Sequence, residues 1–396
     1  MSSHAIAPAV SAGPTFTALP PLSLYVHLPW CVRKCPYCDF NSYEARGPLA
    51  DVEYVDAVLR DLHSELPNVQ GRYVQTVFIG GGTPSLFSAV AIERLLRGVT
   101  ADLTLARDAE ITLEANPGAV DAARFAAFRA AGVNRLSIGI QSLRDDQLRT
   151  LGRVHDNREA RRAVELARTA GFANINLDFM YALPNDNAAG ALADLEQAIE
   201  LAPAHLSWYQ LTLEPNTAFE RRPPPLPADE IVQEIESRGR ALLAAAGYVR
   251  YEISAYARAG RECAHNLNYW QFGDYLGVGA GAHGKVTRPA LQAIERRAKT
   301  RNPRTYVETA GAASACNSQV LTDPRAIAVE FLLNALRTLE GVPEQWFPER
   351  TGLPLEAIAA PRREAVDRGW LADEPARLRA TPVGREVLNR LLELFV

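Results

Sequence analysis

Residues 24–40 of the chain read LYVHLPWCVRKCPYCDF, an apolar run that passes directly into a loop with three cysteines. The run is rich in β-forming residues, and similar runs recur along the chain between stretches with helical spacing of apolar residues. The β-rich runs are 24–28, 76–79, 110–115, 135–140, 174–180 and 206–213, and the helical stretches are 52–66, 89–99, 121–131, 158–170 and 188–201. This alternation indicates parallel βα units.

Six such strands predict an α/β fold built on a partial (β/α)6 TIM-like barrel. A doubly wound sheet is the alternative that the pattern leaves open. In a βα barrel, reactive groups collect at the carboxyl ends of the strands. Here those ends carry the cysteine loop, three glycines at 80–82, and the polar residues Glu114, Gln141 and Asp178. We therefore expect the functional site on that face.

The pattern changes after the barrel strands. A segment with four prolines at 221–227 is interpreted as a linker. From residue 324, helical stretches at 325–339, 354–368 and 382–394 and a strand-like piece at 370–378 predict a small winged-helix-like domain. This part has 10 Arg, no Lys and 11 acidic residues, a balance of −1, which disfavours DNA binding. The predicted domains are a flexible tail at 1–21, a barrel at 22–323 and a C-terminal helical domain at 324–396.

Composition disfavours several classes of protein. The net charge of −4 gives no basic field for nucleic acid, and no apolar run approaches the ~20 residues that span a bilayer. The N-terminal segment lacks the basic start and apolar core of a signal peptide, so we expect a cytoplasmic location. Five cysteines, an odd number, argue against a disulfide framework in that compartment.

Three of the five cysteines, Cys31, Cys35 and Cys38, fall within eight residues with the spacing C-x3-C-x2-C. Thiolates bind iron–sulfur clusters or zinc, and a structural zinc site needs four ligands, usually in two spaced pairs. Three thiolates in one loop can instead bind three irons of a cubane cluster and leave the fourth open to a small ligand. We interpret the loop as such a cluster site, with a zinc knuckle or three free thiols as alternatives.

Further motifs extend this interpretation over most of the chain. They are YVHLP at 25–29, GGGTP at 80–84, EANP at 114–117, SIGIQS at 137–142 and NLD at 176–178. With the cysteines, this set resembles the radical S-adenosylmethionine (SAM) superfamily. Within it, the set is similar to the family of oxygen-independent coproporphyrinogen III oxidase and its relative, the radical SAM heme chaperone. The resemblance implies a 4Fe-4S cluster whose open iron is chelated by SAM.

The resemblance also implies a set of SAM contacts. Gly81 and Gly82 let the backbone approach the amino-acid end of SAM. Glu114 would pair with its ammonium or sulfonium, and Arg153 with its carboxylate. Gln141 and Asp178 would contact the ribose, and Tyr37 would contact the adenine. The full set of these other predicted contacts is Tyr25, Tyr37, Thr83, Gln141, Asp178 and Thr212.

Each of these residues also has an ordinary structural explanation. The glycines can form a tight βα turn. Glu114, Gln141 and Asp178 can cap helices or end strands in solvent, and Arg153 can be an exposed charge at a helix end. Their placement at successive strand ends favours a joint site.

Two functions of this family compete, so enzymatic activity stays an open question. One is radical decarboxylation of coproporphyrinogen III in porphyrin biosynthesis, and the other is binding heme and transferring it to an acceptor protein. The oxidase carries a further cysteine where this chain has Phe40, which can neither ligate iron nor relay a proton. It also has a longer extension before its first strand. Both features favour the chaperone, and a purely structural iron–sulfur protein is a third class.

A third feature is the motif H-N-x-x-Y-W at 265–270, which resembles the proposed heme-binding stretch of the chaperones. His265 is the expected heme ligand, and Tyr269 and Trp270 offer flat faces for a porphyrin. Ordinary core packing is the alternative. The role of His283, in a glycine-rich loop, is left open. The predicted partners are heme, an unknown heme acceptor and an electron donor such as a flavodoxin or ferredoxin, but no nucleic acid. Peripheral membrane association is left open.

Overall fold

Strand β1 (Leu22–Leu28) lies inside a mixed sheet in this computed structural model, which describes residues 14–396. The strands of that range are β1, β2 (Trp30–Cys31), β3 (Tyr43–Glu44), β4 (Val74–Gly81), β5 (Leu105–Ala115), β6 (Arg135–Gln141), β7 (Asn174–Tyr181), β8 (His205–Gln210), β9 (Val249–Glu252), β10 (Ala255–Ala257), β11 (Asp274–Val278), β12 (His283–Arg288), β13 (Ala293–Lys299), β14 (Cys316–Leu321), β15 (Val342–Pro343) and β16 (Arg377–Leu378).

The α-helices of the same range alternate with the first strands and then form the C-terminal part. They are α1 (Asp51–Glu65), α2 (Ala89–Asp102), α3 (Ala122–Ala131), α4 (Asp145–Thr150), α5 (Asn157–Thr169), α6 (Ala188–Glu200), α7 (Ala218–Arg221), α8 (Asp229–Ala245), α9 (Ala264–Trp270), α10 (Pro303–Thr309), α11 (Pro324–Ala335), α12 (Trp346–Thr351), α13 (Ala359–Asp367), α14 (Pro382–Glu386) and α15 (Leu388–Glu393).

The order of strands in the main sheet decides between barrel and doubly wound sheet. Strands β1, β4, β5, β6, β7 and β8 are parallel and adjacent in chain order, without the reversal that defines a doubly wound sheet. Beside β1, β11 adds in parallel and β12 to β14 continue antiparallel; beside β8, β10 and β9 add antiparallel. The ends of the sheet are β14 and β9, so the predicted partial barrel is confirmed.

The helices follow the strands around the outside, and neighbours in the chain are neighbours in space, from α1 to α2 to α3 to α5. Helix α5 shows why these stretches are helical. Asp156 and Glu159 form a capping box at its start, and the residues at helical spacing, Ala160, Ala163, Val164 and Ala167, are buried against the sheet.

Three predicted boundaries need correction. The sixth strand ends at Gln210, three residues earlier than expected, so Thr212 lies in the loop beyond it. The stretch predicted as one helix at 382–394 is two, because Val387 leaves helical geometry with φ −113° and ψ 30°. The expected helix at 354–368 begins as a 3-10 turn, Leu355–Ile358, and becomes α-helical at α13.

The C-terminal helices have a hydrophobic core of their own, and β15 and β16 form a small antiparallel ladder beside it. Residues 258–323, between β10 and α11, form what we call the barrel extension. Phe272 and Ile294 of this extension join the core. So does Phe16, from the segment that the sequence predicted to be a flexible tail; the remainder of that prediction, residues 1–13, lies outside the described residues. Among residues 14–396, no helix combines the length and apolarity that crossing a membrane requires.

Candidate functional site

The cysteine loop follows β1 at the carboxyl end of the parallel strands. The short ladder between β2 and β3 closes it, with the N–H of Tyr43 donating to the carbonyl of Pro29 at 2.8 Å. Cys31, Cys35 and Cys38 are free, half-buried thiols that line one cavity. Burial raises the pKa of the Cys31 and Cys38 thiols. Within residues 14–396 no group of three or more His, Cys, Asp or Glu side chains is placed to hold a single metal ion. The three thiols line the same cavity.

This cavity, which we call the cysteine cavity, has a volume of about 510 Å³. The ends of β4, β5, β6 and β7 and the loop after β8 contribute to its walls. It brings together the three cysteines and, of the predicted SAM contacts, Tyr37, Gly81, Gly82, Thr83, Glu114, Gln141, Arg153, Asp178 and Thr212. Tyr25 is the predicted contact that the structure places elsewhere.

The glycines at the end of β4 are required by close backbone contacts. Gly81 has φ +120°, and a Cβ there would lie 2.8 Å from His27 Cε1. A Cβ on Gly82 would lie 2.7 Å from the carbonyl oxygen of Trp30, at the start of the cysteine loop. The N–H of Gly81 donates to Glu114 Oε2 at 3.0 Å. The glycine edge therefore couples the cysteine loop to the next strand.

Two half-buried carboxyl groups face the cavity. Burial and the neighbouring Asp178 raise the pKa of Glu114 to about 7, although the Gly81 N–H acts against this. Burial also raises the pKa of Asp178, which accepts hydrogen bonds from Ser137 Oγ at 3.0 Å and Asn176 Nδ2 at 2.8 Å. No ion pair reaches either carboxyl group from the described residues. The arrangement is therefore suited to a ligand that carries positive charge.

Arg153 and Gln141 form the opposite side of the cavity. Arg153 Nη1 lies 3.5 Å from Cys35 Sγ, and Nη2 donates to the carbonyl of Gly139 at 2.6 Å. The Arg153 Nε is buried without a partner in the described residues. Gln141 is held at φ +74°, and its Oε1 accepts a hydrogen bond from the hydroxyl of Tyr209 at 2.7 Å. Tyr209 also lines the cavity and was not predicted.

A second cavity, of about 770 Å³, adjoins the first along the barrel interior, and we call it the tryptophan cavity. Glu114, Asp178 and Phe40 line both cavities. Its further walls come from β1, β4, β6, α9, β11, β12, β13 and the loop after β13. They include the side chains of Tyr25, Phe78, Arg135, Tyr269, Trp270, Tyr275, His283, Lys285, Arg296 and Arg301. Tyr25, whose hydroxyl lies 2.9 Å from His27 Nδ1, therefore belongs to this cavity.

The H-N-x-x-Y-W motif forms α9, which lies near the amino ends of β4 and β5, away from the cysteine loop. Tyr269 and Trp270 line the tryptophan cavity. His265 lies behind them, 1% exposed, with Nδ1 2.7 Å from Thr76 Oγ1 and Nε2 2.8 Å from the hydroxyl of Tyr269. Burial and the charge of Arg135 lower the pKa of His265 to about 3. Both ring nitrogens are thus engaged, and direct heme contact by His265 stays a prediction.

The accessible imidazole of the tryptophan cavity is His283, at the start of β12, whose side chain is exposed at the cavity wall. The sequence left its role open. Arg135 lines the same cavity and was missed, although period-2 alternation along β6 puts it on the same face as Ser137 and Gln141.

Comparison with known proteins agrees with this geometry. Residues 25–202 match the radical SAM superfamily, and residues 322–387 match the HemN C-terminal domain. The solved structure of coproporphyrinogen III oxidase (HemN) from Escherichia coli superimposes with a TM-score of 0.78 at 23% identity, covering 95% of this chain and 90% of that one. The fold and the cysteine cavity thus define a radical SAM protein.

Curated relatives of the chain identify its family within the radical SAM superfamily. The heme chaperone HemW of Escherichia coli (strain K12) is 51% identical over 378 residues, covering 96% of this chain and 99% of that protein. HemW of Haemophilus influenzae is 47% identical, covering 96% and 98%. The mitochondrial radical S-adenosyl methionine domain-containing protein 1 of Bos taurus is 36% identical, covering 93% and 86%. The chain belongs to the HemW family.

Proposed function

We propose that this protein is a heme chaperone that binds heme in the tryptophan cavity and transfers it to an acceptor protein. The observation that carries the proposal is this second cavity itself, beside the cysteine cavity and lined by Tyr269, Trp270 and the accessible His283. Its volume of about 770 Å³ falls within the range of about 300–1,000 Å³ that is usual for cofactor sites.

The residues of the tryptophan cavity fit a porphyrin. Tyr25, Phe78 and Tyr269 supply aromatic surface. The indole Nε1 of Trp270 is buried without a hydrogen-bond partner in residues 14–396. Because a buried indole N–H normally finds an acceptor, a propionate oxygen at this wall would accept a hydrogen bond from it. An imidazole such as that of His283 is a suitable axial ligand for heme iron.

The residues of the cysteine cavity fit a 4Fe-4S cluster and SAM. Cys31, Cys35 and Cys38 would hold the cluster, and the uncompensated carboxyl of Glu114 would receive the positively charged end of SAM. The unpartnered Nε of Arg153 would face its carboxylate. When bound, the two cofactors supply one-electron chemistry on SAM. The chain's own part is to bind and orient them beside the tryptophan cavity.

The oxidase function is the second candidate, and Phe40 argues against it. Its side chain is 57% exposed and lies at the rim that the two cavities share. A phenyl ring offers neither a ligand nor a proton at this point between cofactor and substrate. Both functions share this fold, so the side chains at the rim distinguish the chaperone from the oxidase better than the fold does.

The same proposal includes the partners and the location. The acceptor is a protein that takes up heme, the electron donor is of the flavodoxin or ferredoxin type, and the protein acts in the cytoplasm. The division into a barrel at 22–323 and a helical domain at 324–396 is part of the proposal, with the helical domain packing against the barrel extension. Peripheral membrane association is compatible with it.

The test uses the full chain, anaerobically reconstituted with iron and sulfide. A heme titration followed by absorbance should saturate at one heme per chain, and failure to bind heme would refute the proposal. Incubation with coproporphyrinogen III, SAM and a reductant should leave the substrate unchanged. Vinyl products found by mass spectrometry would establish the oxidase instead. If SAM left the spectrum of the reduced cluster unchanged, the cluster would be purely structural.

A further inference from the structure

Among the charged side chains that line the tryptophan cavity, Arg135 is one that no role described so far uses. Arg135 is the first residue of β6, at the amino end of the barrel strands, which we call the cavity floor. It faces the barrel interior, as Ser137 does two residues later. Its side chain is only 2% exposed, yet it lines the cavity.

The Arg135 guanidinium is not satisfied by the protein. Its Nε is buried without a hydrogen-bond partner, and none of its nitrogens donates to another residue within 14–396. The nearest carboxylate oxygen, on Glu110, is 3.8 Å from Nε, beyond hydrogen-bonding distance. A guanidinium carries five N–H donors, so the Glu110 carboxylate offsets part of its charge across 3.8 Å but leaves these donors without a hydrogen-bond acceptor.

The carboxylates near Arg135 are engaged elsewhere. Glu110 accepts hydrogen bonds from the backbone N–H groups of Ala264 at 3.2 Å and His265 at 3.1 Å. Asp178 accepts from Ser137 and from the side-chain amide of its own strand neighbour. Neither is free to turn towards the guanidinium without leaving these donors unpaired.

The two histidines at the floor do not accept hydrogen bonds from Arg135 either. His205 Nδ1 lies 2.6 Å from Asn176 Oδ1, and its Nε2 lies 2.8 Å from the hydroxyl of Tyr251. His265 is held by Thr76 and Tyr269, as described above. Burial and the charge of Arg135 lower the pKa of both rings, so both are neutral. The floor therefore presents a cation and open donors to the cavity.

We propose that Arg135 forms a carboxylate-binding subsite at the floor of the tryptophan cavity, which receives a propionate when the bound ligand is heme. The identity of the ligand rests on the proposed function. A propionate at Arg135 fixes the orientation of the porphyrin: its carboxylate edge points to the amino end of the barrel, and its opposite, apolar edge points towards Glu114 and the cysteine cavity. The subsite thereby selects porphyrins that carry free carboxylates.

The test compares heme with its dimethyl ester in the reconstituted full-length protein. Because charge-assisted hydrogen bonds are stronger than neutral ones, wild type should bind heme roughly 10- to 100-fold more tightly than the ester. Arg135→Gln should weaken heme binding by a similar factor and bind the ester as wild type does. Arg144→Gln is the matched control and should leave the ratio of heme to ester affinity unchanged, since Arg144 is paired with Asp186 and lines neither cavity.

The outcomes separate the subsite from the proposed function. Absence of heme binding in wild type would overturn both. Equal affinity of wild type for heme and ester would overturn the subsite alone, and this comparison needs no variant. Heme affinity in Arg135→Gln equal to that of wild type would do the same. Thermal unfolding and circular dichroism of the apo variant, measured in parallel with wild type, check that Arg135→Gln is folded before its heme affinity is compared.

Discussion

Glu114 and Asp178 govern the electrostatics of the cysteine cavity because both are largely removed from solvent and neither forms an ion pair in the described residues. Burial raises the pKa of both carboxyl groups, and the charge of Asp178 adds to the rise for Glu114, whose pKa reaches about 7. The ionised state of Glu114 therefore costs free energy in the apo protein and is relieved by a cationic ligand. If Glu114 contacts SAM as proposed, SAM binding should therefore be sensitive to pH near neutrality.

Substitution of Glu114 by Gln should lower SAM affinity roughly 10- to 100-fold at pH 8, since it removes a charge-assisted hydrogen bond. In wild type, SAM affinity should rise between pH 6 and pH 8, because Glu114 ionises as the pH passes its raised pKa of about 7. Equilibrium binding of SAM to the reconstituted protein at three pH values measures both effects.

The Glu114→Gln variant is its own control for the pH profile, which should lose the Glu114 contribution. Iron content per chain must match wild type. The pKa of Glu114 is higher in the folded than in the unfolded protein. Its contribution to stability is therefore fully present at pH values below the pKa of the unfolded state and is lost as the pH rises through about 7. The apo variant should therefore be more stable than wild type at pH 8, on the order of 1–3 kcal/mol. Identical pH profiles in the two proteins would contradict the role of Glu114.

Two histidines of the tryptophan cavity should separate into a structural and a ligand-facing residue. His265→Gln breaks buried hydrogen bonds to Thr76 and Tyr269, so it should destabilise the fold by about 1–3 kcal/mol. His283→Gln alters an exposed side chain, so it should leave stability unchanged but weaken heme binding and shift the heme absorption band. Thermal unfolding and heme titration of both variants measure these effects. If only His265→Gln shifts the heme band, His265 is the ligand, and α9 must rearrange on binding.

At the scale of elements, the decisive contact is between the end of β4 and the cysteine loop. The N–H of Gly82 donates to the carbonyl of Leu28, and the N–H of Thr83 to that of Trp30. These hydrogen bonds thus hold the backbone of the cysteine loop against the edge of the sheet. The positions of the three thiols therefore depend on this edge.

Gly82→Ala should disturb the cluster without touching a ligand. Its Cβ would meet backbone atoms, 2.7 Å from the Trp30 oxygen and 2.8 Å from the Pro29 carbonyl carbon, so the loop would have to move. Iron content and visible absorbance after reconstitution should fall, with the fold destabilised by about 1–3 kcal/mol. Gly118→Ala is the matched control, because its Cβ meets the Val154 side chain at 3.2 Å and no cysteine-loop atom. Full iron content in Gly82→Ala would contradict this coupling.

At the scale of the whole molecule, the barrel extension and the C-terminal helices share one hydrophobic core with a residue from before β1. Phe16 is buried in it, and its N–H donates to Gln292 Oε1 at 2.8 Å. The N–H of Thr15 donates to the carbonyl of Gly352 at 2.7 Å. The segment ahead of the barrel therefore joins the extension to the helical part.

Phe16→Ala should lower the free energy of unfolding by about 3–5 kcal/mol, as is usual when a buried Phe is truncated. Denaturant unfolding followed by tryptophan fluorescence measures it. Leu291→Ala, at a neighbouring site that is 67% exposed, should change stability by less than about 0.5 kcal/mol. Equal stability of the two variants would show that Phe16 adds nothing to the core.

The barrel and the site around the cysteines were predictable because local patterns encode them. Strand and helix periodicity located the six βα units, and parallel strands bring their carboxyl ends together, so Glu114 and Asp178 were expected to meet. The thiol spacing is a property of one loop. Thr212 and the split of the last helix were less predictable, since strand and helix ends depend on tertiary contacts.

By itself, the sequence determined the fold class and the chemistry of the cysteine cavity, because both depend on residue type and short-range spacing. Only the tertiary structure decided which side chains line the tryptophan cavity. It placed His265 in the wall and His283 at the surface, and it left the Arg135 guanidinium without a hydrogen-bond acceptor among residues 14–396. The physical reason is that burial and pairing are set by segments far apart in the chain, here β6, α9 and β12, and no local pattern records which of them meet.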